Sequence, residues 1–290
     1  MSLWQQYLRP KSISEALQAL AAAPKPVIPI AGGTDLLLDL EQGRHAPIQT
    51  LVDVTSIKEL LSLEIREDRL FIGAGIPVSK IVLDSLVSQH AQALVEACEL
   101  IGGPQVRNVA TLGGNVAHAL PAADGTIGLL ALDASVDIAD ISGIRSLPFS
   151  DLFVGPGKSL LKHGEELIVG FYLPLKKANQ SSCFKRIMRP QGVALPIINL
   201  AVWLERSKDK INKIRIAVGP GAPIPWRAKS AEAAFTGNPM SEDLINNALE
   251  TLLDHVGFRS SPRRAGSDYR RHLVNSLFKD TFKTAWERAA

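Results

Sequence analysis

Two short stretches decide the fold of this chain: Pro29-Ile30-Ala31-Gly32-Gly33-Thr34-Asp35-Leu36 and Thr111-Leu112-Gly113-Gly114-Asn115. The first closes a branched, apolar run, Val27 to Ala31, of a length that predicts a buried strand. The run ends directly on Gly32-Gly33, and Thr34 to Leu40 then predicts a helix. A strand, a glycine turn and a helix start leave backbone N–H groups open to close approach, with the helix dipole behind them. That arrangement suits a phosphate, and the Thr34 hydroxyl adds a donor. Gly113-Gly114 offers the same chemistry, with Asn115 able to donate and accept. A Gly-Gly pair before a helix is also the mark of a plain tight turn, and spacing alone does not separate the two readings.

Two common nucleotide loops are excluded. Gly73-Ala74-Gly75-Ile76-Pro77-Val78 lacks the third glycine of a dinucleotide fingerprint and puts Pro77 where the helix should begin. Gly155-Pro156-Gly157-Lys158-Ser159 ends like a phosphate-binding loop, but Leu152 stands where its first glycine is needed.

Outward from the loops, Ser12-Ile13-Ser14-Glu15 forms a capping box for a helix that runs through Ala23 to Pro24. Gln49 to Asp53 and Leu70 to Ala74 predict strands. Ala91 to Ile101 predicts a helix with Leu94, Ala97, Cys98 and Ile101 on one face, stopped by Gly102-Gly103-Pro104. Gln105 to Asn115 reads as irregular. Asp124-Gly125 is placed to cap a helix through Leu132. Ser135 to Ala139 and Leu167 to Leu173 predict further strands, and the polar run Lys176 to Ser182 reads as a linker. Beyond it come three strands (Cys183 to Met188, Ile197 to Leu204, Ile211 to Val218) and three helices (Ala228 to Phe235, Ser241 to His255, and Ser267 to Trp286). The order implies a mixed front half with an α+β tail domain.

A charged fraction of 21% and an apolar fraction of 46% fit a soluble globular protein, and a net charge of +3 is too small to argue for nucleic acid. No stretch approaches the ~20 apolar residues of a membrane span, and no apolar signal core follows the N-terminus, so a cytoplasmic location is expected. Arg259, Arg263, Arg264, Arg270 and Arg271 read as a solvated helix face. The two cysteines, Cys98 and Cys183, are too few for an iron–sulfur cluster or a cysteine-based zinc site. None of the histidines stands at metal-pair spacing. No metal site is expected, and any redox group must be organic.

Pro29 to Leu37 and Gln105-Val106-Arg107-Asn108-Val109-Ala110-Thr111-Leu112-Gly113-Gly114-Asn115 resemble the FAD-binding subunit of the molybdenum hydroxylases. The likeness extends through Pro121-Ala122-Ala123-Asp124, Leu132-Asp133-Ala134, Glu165-Glu166-Leu167-Ile168 and Tyr269-Arg270-Arg271, and covers essentially the whole chain. The family includes the medium subunit of carbon monoxide dehydrogenase and the FAD subunit of xanthine dehydrogenase. The resemblance implies an α+β chain with a PCMH-type FAD-binding fold of two α/β subdomains, residues 1–57 and 58–176. A C-terminal domain, residues 177–290, would carry a three-stranded antiparallel sheet and helices.

By position, the resemblance implies FAD contacts at Pro29, Ile30, Ala31, Gly32, Gly33, Thr34, Asp35 and Leu36 in the first loop. Ile101 and Gly102 would line the flavin cleft, and Thr111, Gly113, Gly114 and Asn115 would hold the pyrophosphate. His118 and Asp124 fall on further contact positions, Ile168 beside the isoalloxazine and Lys185 near the ring. Each has a plainer counterpart: a helix cap for Asp124, core for Ile168, a solvated strand face for Lys185, a surface histidine for His118. Thr34 and Asp35 stand where covalently flavinylated relatives carry a histidine, so non-covalent FAD is implied. No acidic residue occurs from Leu167 to Leu204, where several relatives have one, and the electron acceptor stays open between NAD, a quinone and others.

The implied protein is an oxidoreductase subunit with no catalytic side chain of its own. It would relay electrons from a partner's 2Fe-2S cluster through FAD to that acceptor. The molybdenum cofactor and 2Fe-2S clusters would sit on a large and a small partner subunit, respectively. The alternative is a stand-alone flavin oxidase or reductase of the same fold superfamily.

Overall fold

The strand that delivers the first glycine pair lies at the edge of a small parallel sheet. The computed structural model describes residues 3–189, 195–261 and 265–290. Its first unit is β1 (Trp4–Leu8), α1 (Ile13–Ala22), β2 (Val27–Ile30), α2 (Leu36–Glu41) and β3 (Ile48–Asp53), with strand order β1-β3-β2. Both pairings are parallel, and each crossover carries a helix, as parallel neighbours require. Ser12 caps α1, its hydroxyl accepting the Glu15 N–H at 3.2 Å, while the Glu15 carboxylate accepts the Lys11 N–H at 2.7 Å. Helix α2 begins at Leu36, later than the Thr34 expected, because Gly33 sits at φ +66° and breaks the helical path.

The second unit has an antiparallel sheet of five strands in the order β4-β5-β10-β6-β7. These strands are β4 (Leu63–Arg66), β5 (Arg69–Gly73), β6 (Ser135–Asp140), β7 (Gly143–Pro148) and β10 (Leu167–Pro174). β8 (Phe153–Gly155) and β9 (Lys158–Ser159) form a separate hairpin. Between β5 and β6 run α3 (Val78–Leu83), α4 (Ser85–His90), α5 (Gln92–Glu99), α6 (Pro104–Arg107), α7 (Leu112–Ala117) and α8 (Asp124–Ala131). The predicted face Leu94, Ala97, Cys98 of α5 is fully buried, packed in one core with Ile127 of α8 and Phe171 of β10.

The stretch expected to be irregular, Gln105 to Asn115, instead contributes α6 and most of α7. Pro104 presets the first turn of α6, and the Thr111 hydroxyl caps α7 by accepting the Gly114 N–H at 3.1 Å. Gly113-Gly114 masks that start, since glycine is a poor helix former on propensity alone.

The C-terminal unit holds the three long strands expected, β11 (Gln180–Met188), β12 (Pro196–Ser207) and β13 (Lys210–Gly219), and a short β14 (Trp226–Arg227) adds a fourth. Neighbours pair antiparallel. Helices α9 (Lys229–Phe235), α10 (Glu242–His255) and α11 (Ser267–Arg288) cover one face. Ser182 and Phe184 of β11 face the second unit instead: Ser182 Oγ accepts the Ala93 N–H at 3.0 Å, and Phe184 enters the core around α5. Ion pairs add to this junction. Glu96 of α5 accepts the Phe184 N–H at 2.7 Å and pairs with Arg288 at 2.6 Å. Asp133, past the end of α8, pairs with Arg215 at 3.0 Å and Arg227 at 3.2 Å.

The basic run near the C-terminus is not a uniformly solvated face. Arg270 is buried and donates to the Arg259 carbonyl, and Arg271 donates to the Leu253 carbonyl at 2.6 Å. Arg263 and Arg264 lie outside the described residues. Among the described residues no helix is long and apolar enough to cross a membrane.

Phe235, Phe278 and Phe282 are fully buried and pack with ring centroids 5.1 to 6.3 Å apart, joining α9 to α11. Phe278→Ala opens a cavity there and is expected to cost about 3–5 kcal/mol, measured by chemical denaturation. A loss below about 1 kcal/mol would show that this aromatic cluster does not organise the C-terminal unit.

Candidate functional site

The two glycine loops meet. Ile30 ends β2 beside Asp53, and the chain turns from there into Gly32-Gly33. A Cβ on Gly32 would overlap the Val109 carbonyl and stand 2.9 Å from Ala110 Cα, so only glycine permits this contact between backbones. The second loop is stitched to the end of β5. Ala110 O accepts the Val78 N–H at 2.9 Å, Leu112 N–H donates to Ile76 O at 3.4 Å, and Gly113 N–H donates to Ala74 O at 2.9 Å. A Cβ on Gly113 would stand 2.7 Å from the Ala74 carbonyl oxygen.

The loops differ in their free donors. In the second, the amides of Leu112, Gly113, Gly114 and Asn115 are all committed, the last two to Thr111. In the first, the amides of Gly32, Gly33, Thr34 and Asp35 donate to no group among the described residues, although the Gly33 and Asp35 carbonyls accept from Leu37 and Asp39 at 2.9 Å each. Consecutive unpaired N–H groups at the start of α2 form a concave donor set for an anion. In the second loop Gly114 is exposed, whereas Asn115 Oδ1 is buried against α8, where a Cβ on Gly125 would stand 2.9 Å from it. A phosphate-bearing ligand fits the open amides of the first loop.

The remaining predicted positions distribute unevenly. Pro29 and Ile30 lie in β2, and Ala31 and Leu36 flank the turn, half-buried. Ile101 and Gly102 are half-buried in a turn held by Arg107, whose Nη1 donates to the Gly102 carbonyl at 2.7 Å and the Ile101 carbonyl at 3.3 Å. His118 ends α7, half-buried. Ile168 is buried in β10 opposite Ile138, in the core of the second unit.

Asp124 does not act as the expected helix cap; Ala123 holds that position and no side chain caps α8. The Asp124 carboxylate instead accepts Arg186 Nη1 at 2.5 Å and Asn199 Nδ2 at 2.7 Å. Burial pushes its pKa up to about 6, against the pull of the Arg186 charge and of both hydrogen bonds. Lys185 turns the other way, pairing with Asp280 of α11 at 2.8 Å. Successive residues of a strand point to opposite faces, so the cation that β11 brings to Asp124 is Arg186. Sequence reasoning missed Arg186; the signal was the apolar Phe184 two residues before it, which marks the inward face. The cavity of about 350 Å³ lined by Leu17, Lys25, Asp140, Lys162 and Glu165 shares none of these residues.

Comparison with known proteins agrees with this layout. A family model described as the FAD binding domain in molybdopterin dehydrogenase matches residues 3–176, and one described as the CO dehydrogenase flavoprotein C-terminal domain matches residues 182–285. The xanthine dehydrogenase FAD-binding subunit of Escherichia coli O157:H7 is 32% identical over 281 residues, 96% of this chain and 95% of that one. The carbon monoxide dehydrogenase medium chain of Hydrogenophaga pseudoflava is 26% identical over 98% of both chains. A solved structure of the Hydrogenophaga pseudoflava carbon monoxide dehydrogenase, in a form lacking the Mo-pyranopterin moiety of the molybdenum cofactor, superposes with a TM-score of 0.93 over 99% of this chain and 98% of that one, at 27% identity. The chain therefore belongs to the FAD-binding subunit family of the molybdenum hydroxylases.

Proposed function

We propose that this chain binds FAD non-covalently between its two glycine loops and serves as the electron-relay subunit of a molybdenum-containing dehydrogenase. One observation carries the cofactor assignment: the amides of Gly32 to Asp35, without partners among the described residues, lie at a helix start where Gly32 touches the Val109-Ala110 backbone that leads into the second loop. The first loop would hold phosphate through those four donors and the Thr34 hydroxyl. The second would supply an unobstructed surface at Gly114. The Ile101-Gly102 turn would line the cleft, its shape fixed by Arg107.

When bound, FAD would accept electrons from a 2Fe-2S cluster on a small partner subunit and deliver them to an external acceptor such as NAD or a quinone. Substrate oxidation would take place on a molybdenum-binding large subunit. This chain's residues then bind and orient, and they need no acid–base pair. The FAD-binding region and the C-terminal domain would divide near Lys176-Lys177. Names of related proteins support the family of partners: xanthine and carbon monoxide dehydrogenases are among the relatives.

Purification from the native host should yield a complex with an oxidised-flavin absorption spectrum and co-eluting molybdenum and iron. A flavin-free chain that cannot be reconstituted with FAD would refute the assignment. A finer test is Gly114→Val. A Cβ there meets only Thr111 Oγ1, at 3.2 Å, so the fold should survive. The added methyl groups project where the pyrophosphate would lie, and FAD affinity should fall at least about tenfold in a fluorescence titration. Unchanged affinity would remove the second loop from the site.

A further inference from the structure

The segment from Asn115 to Gly125 joins the second glycine loop to α8, and the C-terminal unit grips it at three points. Asn199 of β12 donates from Nδ2 to the Ala122 carbonyl at 3.0 Å as well as to Asp124 Oδ1. Arg186 of β11 donates to Asp124 Oδ2. At the end of β13, a Cβ on Gly219 would stand 2.8 Å from the Pro121 carbonyl oxygen, so the two backbones touch. The Asp124 and Arg186 side chains are each 6% exposed, and Asn199 is fully buried.

Stability is a weak reason for such a node. Burying an ion pair this deeply costs about as much in desolvation as the attraction returns, and an apolar replacement is often as stable. The node is also incompletely satisfied, because Arg186 Nε and Asn199 Oδ1 are buried without partners among the described residues. Among the described residues, Arg186 Nη2 reaches only the Met188 sulfur, at 3.1 Å. Its distinctive effect is directional: a guanidinium takes one carboxylate oxygen and an amide the other. Asp124 is thereby fixed, and with it the chain that runs back to Asn115 and Gly114.

The geometry points to Arg186 and Asn199 as positioning residues for the cofactor, acting through Asp124 and the 118–124 segment. This rests on the FAD reading of the glycine loops. Asp124 and Asn199 approach from opposite sides of the junction, and neither unit contains the whole node.

The test uses the full-length chain and two readouts, the FAD dissociation constant by fluorescence titration and the melting temperature with and without FAD. Arg186→Met removes the charge and its donors, Arg186→Lys keeps the charge, and Asp133→Asn weakens the same junction at the far end of α8. Arg186→Met should raise the dissociation constant at least about tenfold and shrink the FAD-induced rise in melting temperature, with Arg186→Lys recovering part of both. Asp133→Asn should lower the melting temperature without FAD yet leave the dissociation constant within about twofold of native.

Equal effects of Arg186→Met and Asp133→Asn on affinity, or native affinity in Arg186→Met, overturn the positioning role while leaving the FAD assignment standing. A native chain that binds no FAD overturns both. Should Arg186→Met fail to fold, Asn199→Ala carries the test. It keeps the ion pair and releases Ala122, and FAD affinity equal to native would sink the proposal.

Discussion

The contact between Gly32 and the Val109 carbonyl is the constraint around which the front half of the molecule is arranged. Backbone turns from the two units touch there with no side chain between them. The parallel unit, which ends in the unpaired amides of Gly32 to Asp35, is thereby locked to the antiparallel unit, whose second loop is tied to Ala74 and Ile76. A methyl group at residue 32 would force the sheets apart, so both loops depend on one glycine. The division of labour between them follows: the loop with free amides offers charge complementarity, and the loop with satisfied amides offers shape.

Charge organises the second junction. Glu96, Asp124 and Asp133 all belong to the front half, and their partners Arg288, Arg186, Arg215 and Arg227 all belong to the C-terminal unit. Opposite signs facing across the seam favour one docking orientation, most strongly at Asp124 and Arg186, where both side chains are buried and leaving one unpaired is costly. Phe184 and Ser182 add apolar area and a hydrogen bond to the same seam. Strand β11 thus serves two masters, with Cys183 and Lys185 turned to the C-terminal helices and Phe184 and Arg186 to the front half.

Much of this was readable from local sequence. The capping box at Ser12, the strand into Gly32, the buried face of α5 and the three long C-terminal strands all appear where periodicity and cap residues put them. The failures share a cause. Helix α6 was hidden because Pro104 also reads as a helix stop, and α7 because Gly113-Gly114 lowers helix propensity, while the burial of Leu112 and the packing of Gly113 on Ala74 stabilise it from outside. Asp124 looked like a cap because Asp before a helix often is one. Its actual partner, Arg186, lies 62 residues away in sequence.

The sequence by itself determined that two glycine pairs follow or open secondary elements, that the cysteines exclude an iron–sulfur site here, and that the chain resembles a flavin-binding family. Those properties depend on residue type and short spacing. Only the tertiary structure decided which loop keeps its amides free, that Arg186 rather than Lys185 meets Asp124, and that the two halves share a buried polar node. Hydrogen-bond partners across a domain seam and the facing of a strand are set by packing between distant segments, which no local window contains.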